Sequence, residues 1–283
     1  MAAPILVAPT SQLIAELAVA ALHDEVDLTP KPGLVDCRGT GAHTDMSRDM
    51  LHSSADALLI AFAECAQAAQ ELAIGPELRA RVGVIGRAGE RAMLAVTGGV
   101  NTHRGALWAF GLLSAAIGAG ATSTDDATGY AAMLARIPDP VPGAVVRSHG
   151  AAVRRCFRVG GAPGEAQSGF PHVVRYALPT LRRYPEADST EARLDALLAL
   201  IAHLDDTCVL HRGGADGLAA VQSAADAVLD GGGMRTSEGR QRFSVLDRLC
   251  VAHRLSPGGA GDLLAAALFL HNLERRSVSE CKP

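Results

Sequence analysis

The sequence predicts an all-α protein, a single globular multi-helix bundle over residues 1–283 with functional loops at its helix junctions. Alanine and glycine are abundant and aromatic residues make up only 4%, a composition that favours closely packed helices over sheets. Apolar residues recur at helical spacing, and clusters of Gly and Pro separate these segments. The length allows one domain or two. We predict one, because the helices on either side of a possible boundary near residues 158–173 could not bury their apolar faces alone.

The predicted N-terminal helices follow from the positions of these Gly and Pro clusters. Apolar residues from Leu13 to Leu22 predict a helix that ends near Asp27, with Thr10 or Ser11 as its N-cap. The next segment, LTPKPGLVDCRGTGAHTD, holds two prolines and three glycines, so we predict a loop there. Further helices are predicted over 47–72 and 76–96. A polar turn then precedes an apolar helix.

The C-terminal elements follow the same reasoning. The sequence predicts a helix between residues 121 and 142, a break at the prolines and glycine of 138–143, a helix over 144–157 and a loop over 158–173. From Ser189 an amphipathic helix leads to an acidic pair. A helix to about residue 229 follows the HRGGAD segment, then a Gly-rich turn and a last helix after SPGGAG. No fixed repeat period occurs, which disfavours a solenoid.

Charge and cysteine usage exclude several classes of protein. The chain has 26 basic and 30 acidic residues, a net charge of −4, so we expect no nucleic-acid partner. Six cysteines form no CxxC pair, so neither a zinc ribbon nor a thioredoxin motif is present. No signal peptide and no run of ~18 apolar residues occurs, so we expect no membrane partner and a cytoplasmic protein. The alanine-rich helical surface leaves room for a homodimer.

Polar residues cluster at the predicted helix junctions. Junctions at one end of a bundle can converge, and helix N-termini there present free N–H groups and a positive dipole end. Basic side chains neutralise phosphate, glycines allow close backbone approach, and carboxylates hold Mg²⁺. These residues therefore point to a phosphorylated ligand with Mg²⁺. The clusters are Lys31 with Asp36; His43 with Asp45; Asn101, Thr102, His103 and Arg104; Asp205, Asp206, His211 and Arg212; and Gly258, Gly259 and Asp262.

Each cluster also has a purely structural interpretation. Residues 29–36 suit a rigid surface turn. Asp45, Asn101 and Thr102 suit helix caps, and Asp205 with Asp206 suits a solvated helix end. The signatures of P-loop, dinucleotide-fold, zinc-protease and serine-hydrolase sites are all absent. The residues alone therefore indicate an α-helical protein that binds a phosphorylated ligand.

Taken together in chain order, six motifs extend over nearly the whole sequence. With them the chain resembles the triphosphoribosyl-dephospho-CoA synthase family. The stretch VDCRGTGAHTDM resembles the malonate decarboxylase branch more than the citrate lyase branch, and Gly261 is a departure from the expected pattern. The motifs are TPKPGLVD (29–36), GAHTDM (41–46), GVNTHRGALW (99–108), GFPHV (169–173), DDTCVLHRGG (205–214) and SPGGAGDLLA (256–265).

The resemblance implies an unusual use of ATP. Enzymes of that family transfer the triphosphoribosyl group of ATP to the 2′-hydroxyl of 3′-dephospho-CoA and release adenine. The product is the precursor of the prosthetic group on the acyl-carrier subunit of malonate decarboxylase or citrate lyase. Glycosyl transfer proceeds through an oxocarbenium-like transition state. An α-linked product from a β-nucleoside implies inversion by direct displacement, so we expect a general base, a proton donor and charge-neutralising groups.

Roles for the matching residues follow as hypotheses. Catalytic acid and base roles are expected among the three motif histidines, with Asp205 also catalytic. The catalytic set is His43, His103, His211 and Asp205; the substrate-binding set is Lys31, Asn101, Thr102, Arg104, Arg212, Gly258 and Gly259; and the Mg²⁺ set is Asp36, Asp45, Asp205 and Asp206. The alternatives are an α-helical Mg²⁺-dependent hydrolase of N-glycosidic bonds, resembling ADP-ribosyl hydrolases, and a non-enzymatic nucleotide-binding accessory protein.

Overall fold

A computed structural model describes residues 9–141, 149–184, 186 and 188–280. This part of the chain is helical and contains no β-strand, which confirms the all-α prediction. A π-helical segment (Val173–Ala177) lies between α8 and α9, and a 3₁₀ turn (Gly233–Arg235) lies between α11 and α12. The helices are α1 (Ser11–Asp27), α2 (Arg48–Ala57), α3 (Leu59–Glu71), α4 (Pro76–Val96), α5 (Arg104–Gly118), α6 (Thr124–Arg136), α7 (His149–Phe157), α8 (Gly161–Gln167), α9 (Leu178–Arg182), α10 (Thr190–His203), α11 (Thr207–Asp230), α12 (Ser237–Ala252) and α13 (Gly258–Glu280).

Local sequence explains where many of these helices begin. The Thr10 hydroxyl accepts a hydrogen bond from the N–H of Leu13 at 3.2 Å and caps α1, as the sequence predicted. Ser47, Ser123 and Ser189 cap α2, α6 and α10 in the same way. Each cap satisfies an N–H group that has no partner within its helix. Pro76 opens α4, where the missing N–H of proline costs nothing.

Helix α5 lies at the centre of the bundle. It packs against α1, α3, α4, α6 and α13. The rings of Phe62 and Phe110 lie 5.5 Å apart between centroids, and those of Phe110 and Phe269 lie 5.3 Å apart. One hydrophobic cluster extends from Ile14 in α1 to Leu270 in α13. The first and last described helices therefore share one core with the middle of the chain.

The loop between α1 and α2 is fixed against the far end of the sequence. Gly33 has a positive φ of 67°, and a Cβ there would overlap the carbonyl oxygen of Leu255. Only glycine fits both the backbone conformation and this close approach. The contact brings the loop, which was predicted as such, onto the turn before α13.

Several predicted boundaries are wrong. The helix predicted over 47–72 is divided at Leu58, whose N–H bonds the carbonyl of Ala55 and tightens the turn. The predicted loop over 158–173 contains α8. Helix α11 begins at Thr207, ahead of HRGGAD, because Asp206 caps it, and it continues through a kink at Gly214 (φ 63°, ψ −162°). Helix α12 was not predicted separately. The predicted helix start at 144 and the end of the 138–143 break lie outside the described residues.

No helix in the described ranges is both long enough and apolar enough to cross a bilayer.

Candidate active site

The predicted convergence of helix N-termini occurs where α5, α11 and α13 begin. A Cβ on Gly105, in the first turn of α5, would overlap the Asp262 carboxylate of α13. The N–H of Ala260, also in α13, donates to Asp206 at the start of α11 with a distance of 2.9 Å. Three segments that are distant in sequence thus place their N-terminal turns together.

Asp206 links two of these helices. One carboxylate oxygen accepts the N–H groups of Cys208 at 2.7 Å and Val209 at 3.4 Å, which caps α11, and the other accepts the N–H of Ala260. The side chain is buried. Burial raises the pKa of Asp206, and the N–H donors, including that of Gly259, act in the opposite direction. Asp206 therefore serves as a shared cap, whereas the sequence analysis considered only metal binding or a solvated helix end for this residue.

Lys31 is fully buried and paired with a residue that the sequence analysis missed. Its Nζ donates to the Glu25 carboxylate at 2.8 Å and to the Glu25 carbonyl oxygen at 2.6 Å. The sequence did offer a signal for this pair. A buried lysine needs a carboxylate partner, and Glu25 lies six residues earlier, on α1. Gly261 faces the same group, since a Cβ there would lie 3.1 Å from Glu25 Oε1.

Asp36 organises the loop. It accepts the backbone N–H of Lys31 at 2.8 Å and the N–H of Arg38 at 2.8 Å. The Arg38 guanidinium bonds Asp36 at 2.9 Å and Asp247 of α12 at 2.7 Å. The Asp36 carboxylate is thus occupied by donors from its own loop.

His103 is buried at the N-terminus of α5. Its Nδ1 lies 2.8 Å from the hydroxyl oxygen of Ser54, which in turn lies 2.6 Å from that of Thr102. Burial lowers the pKa of His103 to about 4, and the nearby positive charge of Lys31 contributes to the shift. The ring is therefore neutral at physiological pH.

His43 connects the loop to both other segments. Its Nε2 lies 2.7 Å from the Ser256 hydroxyl, in the turn before α13, and its Nδ1 lies 3.2 Å from the Arg212 guanidinium of α11. Asp45 lies 3.5 Å from the same Nδ1. Burial and Arg212 lower the pKa of His43, against an opposing effect from Asp45. Two predicted sites, in the GAHTDM and HRGG motifs, are thereby joined.

Other predicted binding residues lie at the starts of α5 and α13, where they are exposed or partly exposed. The Asn101 side chain accepts the N–H of Arg104 at 3.3 Å, and the Arg104 guanidinium forms an ion pair with Glu90. Gly258 and Gly259 are partly exposed in the first turn of α13. A Cβ on Gly259 would lie 3.0 Å from Asp206 Oδ2, so the backbone approaches the shared cap closely.

Asp205 and His211 are exposed, and Asp205 faces a second dyad that the sequence analysis did not assign. His172, in the GFPHV motif, bonds the Glu165 carboxylate through Nδ1 at 2.7 Å. This bond raises the pKa of His172, and the charge of Asp205 adds to the effect. The motif was visible in the sequence, but its partner Glu165 lies within the stretch predicted as a loop.

Asp262 also belongs to the junction, although it was absent from the predicted catalytic and metal sets. Burial, together with the negative charges of Glu25 and Asp206, raises its pKa well above the usual range. The SPGGAGD motif had pointed to this position.

The four carboxylates predicted to bind Mg²⁺ do not meet. Asp36 and Asp206 are buried and bonded to N–H donors, whereas Asp45 and Asp205 are exposed on different segments. No group of three or more His, Cys, Asp or Glu side chains within the described ranges is arranged to hold a metal ion. These residues therefore do not fit a metal site built from protein ligands alone.

Comparison with known proteins agrees with the resemblance seen in the motifs. The CitG family model, described as ATP:dephospho-CoA triphosphoribosyl transferase, matches residues 11–281. The chain is 52% identical to a probable 2-(5″-triphosphoribosyl)-3′-dephosphocoenzyme-A synthase of Pseudomonas fluorescens (strain Pf0-1), with 95% of this chain and 94% of the relative covered.

Proteins of the same name in two other bacteria are similar to nearly the same degree. That of Stutzerimonas stutzeri (strain A1501) is 51% identical, over 93% of this chain and 92% of the relative. That of Pseudomonas aeruginosa (strain UCBPP-PA14) is 51% identical, over 94% of this chain and 92% of the relative. No solved structure matches the chain. The chain belongs to the ATP:dephospho-CoA triphosphoribosyl transferase family.

Proposed function

We propose that this chain transfers the 5-triphosphoribosyl group of ATP to the 2′-hydroxyl of 3′-dephospho-CoA and releases adenine. The observation that carries the proposal is the junction of α5, α11, α13 and the loop before α2, in a member of this family. The product is 2′-(5″-triphosphoribosyl)-3′-dephospho-CoA. The C1′–N9 bond of ATP breaks, adenine leaves with a proton, and the 2′-oxygen of the acceptor takes its place on the ribose.

The accessible side of the junction suits the triphosphate. Arg212 and Arg104 supply guanidinium groups, and the partly exposed glycines of α13 bring backbone N–H groups towards the surface. Lys31 is bonded to Glu25 within the core, so its proposed role is to hold the loop rather than to touch phosphate. Asn101 and Thr102 set the first turn of α5.

Mg²⁺ is proposed to arrive with ATP. This ion commonly takes one or two carboxylates together with substrate phosphates. Asp205 and Asp45 are the exposed members of the predicted set and lie on different segments, so one or the other, but not both, would complete the coordination of a Mg·ATP complex. Asp36 and Asp206 serve the loop and the helix caps instead.

The geometry favours His43 as the general base for the acceptor hydroxyl. It lies at the meeting point of three segments and contacts both Ser256 and Arg212. His103 is buried against Ser54, so we assign it a positioning role for Thr102 and the start of α5. His211 is exposed on α11 and is the proposed proton donor to adenine.

A pair of substitutions tests the role of His43. Removing a general base costs about 10²–10⁴-fold in rate, so both His43→Ala and His43→Gln should lower kcat by at least about a hundredfold. Glutamine can keep a hydrogen bond to Ser256 but cannot accept the proton. Near wild-type turnover in the glutamine variant would show that His43 only positions its neighbours.

The decisive experiment measures adenine release from Mg·ATP by the purified protein with and without 3′-dephospho-CoA. Adenine that depends on the acceptor, with a CoA product heavier by one triphosphoribosyl unit, is the expected result. Adenine release without acceptor would favour the N-glycosidic hydrolase. Absence of adenine under both conditions would favour a nucleotide-binding accessory protein.

The remaining proposals concern the domain organisation, the carrier system that is served, the cellular location and the oligomeric state. A single functional domain is supported by the one hydrophobic cluster that joins α1 to α13. We also propose that the product serves the acyl carrier of malonate decarboxylase, because the chain contains the VDCRGTGAHTDM motif. Offering the product to the carrier-loading transferases of the two systems in parallel tests this proposal. A cytoplasmic location and a homodimer remain predictions, which cell fractionation and light scattering would check.

A further inference from the structure

Asp262 lies where the starts of α5, α11 and α13 meet. Its carboxylate packs against Gly105 in the first turn of α5, where a Cβ would overlap it, and accepts the N–H of Ala106. Its negative charge also acts on the Cys208 thiol in the first turn of α11. The side chain is partly exposed. Asp262 therefore reaches both neighbouring helix starts from α13, and part of its surface is accessible to a ligand.

The position of Asp262 on α13 places it beside the turn that is proposed to bind phosphate. Gly258 and Asp262 are four residues apart, so they lie on the same face of the helix, about 6 Å apart along its axis. Helical side chains lean towards the N-terminus, so the Asp262 carboxylate points back towards this glycine turn. In a nucleotide, C5′, C4′ and the ring oxygen connect the phosphate to C1′. A triphosphate held at the first turn of α13 therefore brings the reacting ribose close to Asp262.

The surroundings of Asp262 leave its negative charge poorly compensated. Burial removes water from the carboxylate, and Glu25 and Asp206 nearby are also acidic, so the pKa of Asp262 is raised well above its usual range. Lys31 is bonded to Glu25 at 2.8 Å. Asp262 forms no ion pair with a basic side chain in the part of the chain that the structure describes. A positive charge that forms beside this carboxylate is stabilised more strongly than it would be in water.

Other carboxylates of the junction are already engaged. Asp206 accepts three backbone N–H groups. Glu25 is bonded to Lys31, and Asp36 is bonded to Arg38. Asp262 is the buried acid of the junction that combines an accessible side chain with a single backbone donor, so it has the capacity to act on a substrate.

We propose that Asp262 is the carboxylate that stabilises the positive charge on the ribose of ATP during triphosphoribosyl transfer. The inference rests on the proposed function, in which the C1′–N9 bond breaks through an oxocarbenium-like transition state. The electron pair of that bond leaves with adenine, which takes up a proton, and the 2′-oxygen of the acceptor bonds C1′ as His43 accepts its proton. Asp262 stays ionised and forms no covalent bond. Because its charge is matched only in the transition state, it accelerates the chemical step rather than substrate binding.

The test separates the chemical step from substrate binding in wild type and in Asp262→Asn. Single-turnover adenine release from Mg·ATP with 3′-dephospho-CoA measures the first, and calorimetric titration with Mg·ATP measures the second. Asparagine keeps an oxygen that can accept the Ala106 N–H, but it carries no charge. The expected result is a rate at least about a hundredfold lower, with a Kd within about threefold of wild type.

Glu274→Gln is the matched control. Glu274 lies on the same helix, about 18 Å further along its axis, and pairs with Arg182. The substitution removes the same charge at a distance from the junction, so the single-turnover rate should stay within twofold of wild type. An equal loss of rate in both variants would overturn the proposal in favour of a general effect of charge.

A second variant separates loss of charge from loss of fold. Asp262→Ala removes the whole carboxyl group, and formate, a small carboxylate, can enter the space. Added formate should raise the single-turnover rate of this variant at least tenfold and leave that of wild type unchanged. A merely structural role predicts no such rescue, so a rate that formate does not raise contradicts the proposal. The thermal midpoint of Asp262→Asn should be at least that of wild type, because the substitution removes a charge from a buried position.

The proposal and the function on which it rests fail differently. If wild type makes the product and Asp262→Asn loses less than a hundredfold in rate, the role of Asp262 is overturned. A weaker Kd for Mg·ATP with an unchanged rate also overturns it, because Asp262 would then be a binding group. If wild type releases adenine without acceptor and Asp262→Asn loses that release, the role of Asp262 stands and transfer to 3′-dephospho-CoA does not. Absence of adenine release by wild type under both conditions overturns both.

Discussion

Buried ionisable residues distinguish the junction at the scale of single side chains. Lys31, Asp206 and His103 are each at most 4% exposed, although charged groups seldom leave water without a partner. Each has one: Lys31 bonds Glu25, Asp206 bonds backbone N–H groups, and His103 bonds Ser54. These residues form the buried support for the exposed side chains of the proposed substrate site.

The buried neutral ring of His103 predicts an acid-sensitive fold. Its pKa is lowered to about 4 in the folded protein, against about 6.5 in an unfolded chain. The unfolded state therefore gains a proton first as the pH falls, and folding stability present above pH 6.5 is lost towards pH 4. By this linkage the titration of His103 alone lowers the free energy of unfolding by about 2 kcal/mol at pH 5.

The measurement compares the free energy of unfolding of wild type and His103→Gln at pH 8 and pH 5. Glutamine can bond Ser54 but does not titrate. The stability of the variant should fall by about 2 kcal/mol less than that of wild type over this interval. Parallel losses would show that the ring is not held neutral in the folded state.

At the scale of elements, the site depends on how helices begin. Asp206 is the N-cap of α11 and also accepts an N–H from α13, so one carboxylate sets the relative position of two helices. The Asp205–Asp206 pair is thereby divided by function. One member holds the helices together, and the other faces solvent and His172.

Substitution of the two aspartates should separate these roles. Asp206→Asn replaces one accepting oxygen with an NH₂ group that cannot accept the α11 or α13 N–H groups, and a buried donor without a partner costs about 1–3 kcal/mol. Asp205→Asn, at an exposed position, should stay within about 0.5 kcal/mol of wild type. Urea unfolding of both variants measures the difference. Equal stabilities would remove Asp206 from its role as a shared cap.

At the scale of the whole molecule, sequence patterns predicted the helices better than the contacts between them. Caps such as Thr10 and the proline at residue 76 act locally, so α1 and α4 could be predicted closely. The spacing of Phe243, Leu246 and Cys250 also carried a helical signal for α12, and it was overlooked. The pairing of Glu25 with Lys31 and of Glu90 with Arg104 depends on tertiary packing, which local sequence patterns do not predict.

The placement of the carboxylates predicts how metal and nucleotide bind to the intact protein. Because Asp36 and Asp206 are bonded internally and Asp45 and Asp205 are apart, Mg²⁺ alone should shift the thermal midpoint by less than about 1 °C. A ligand at about 100 times its Kd adds about 2.7 kcal/mol of stability, and each kcal/mol raises the midpoint of a protein of this size by about 2–4 °C. Mg·ATP should therefore raise it by about 5–10 °C.

Differential scanning calorimetry with Mg²⁺ alone, ATP with chelator, and Mg·ATP makes this comparison. The bound nucleotide would bridge segments from both halves of the chain, since Arg104 and Arg212 lie on α5 and α11, so the whole transition should move rather than one part of it. Adenosine, which lacks the phosphates, serves as the control and should give a much smaller shift. A shift with Mg²⁺ alone as large as that with Mg·ATP would instead indicate a preformed metal site and return Asp36 and Asp206 to the set of metal ligands.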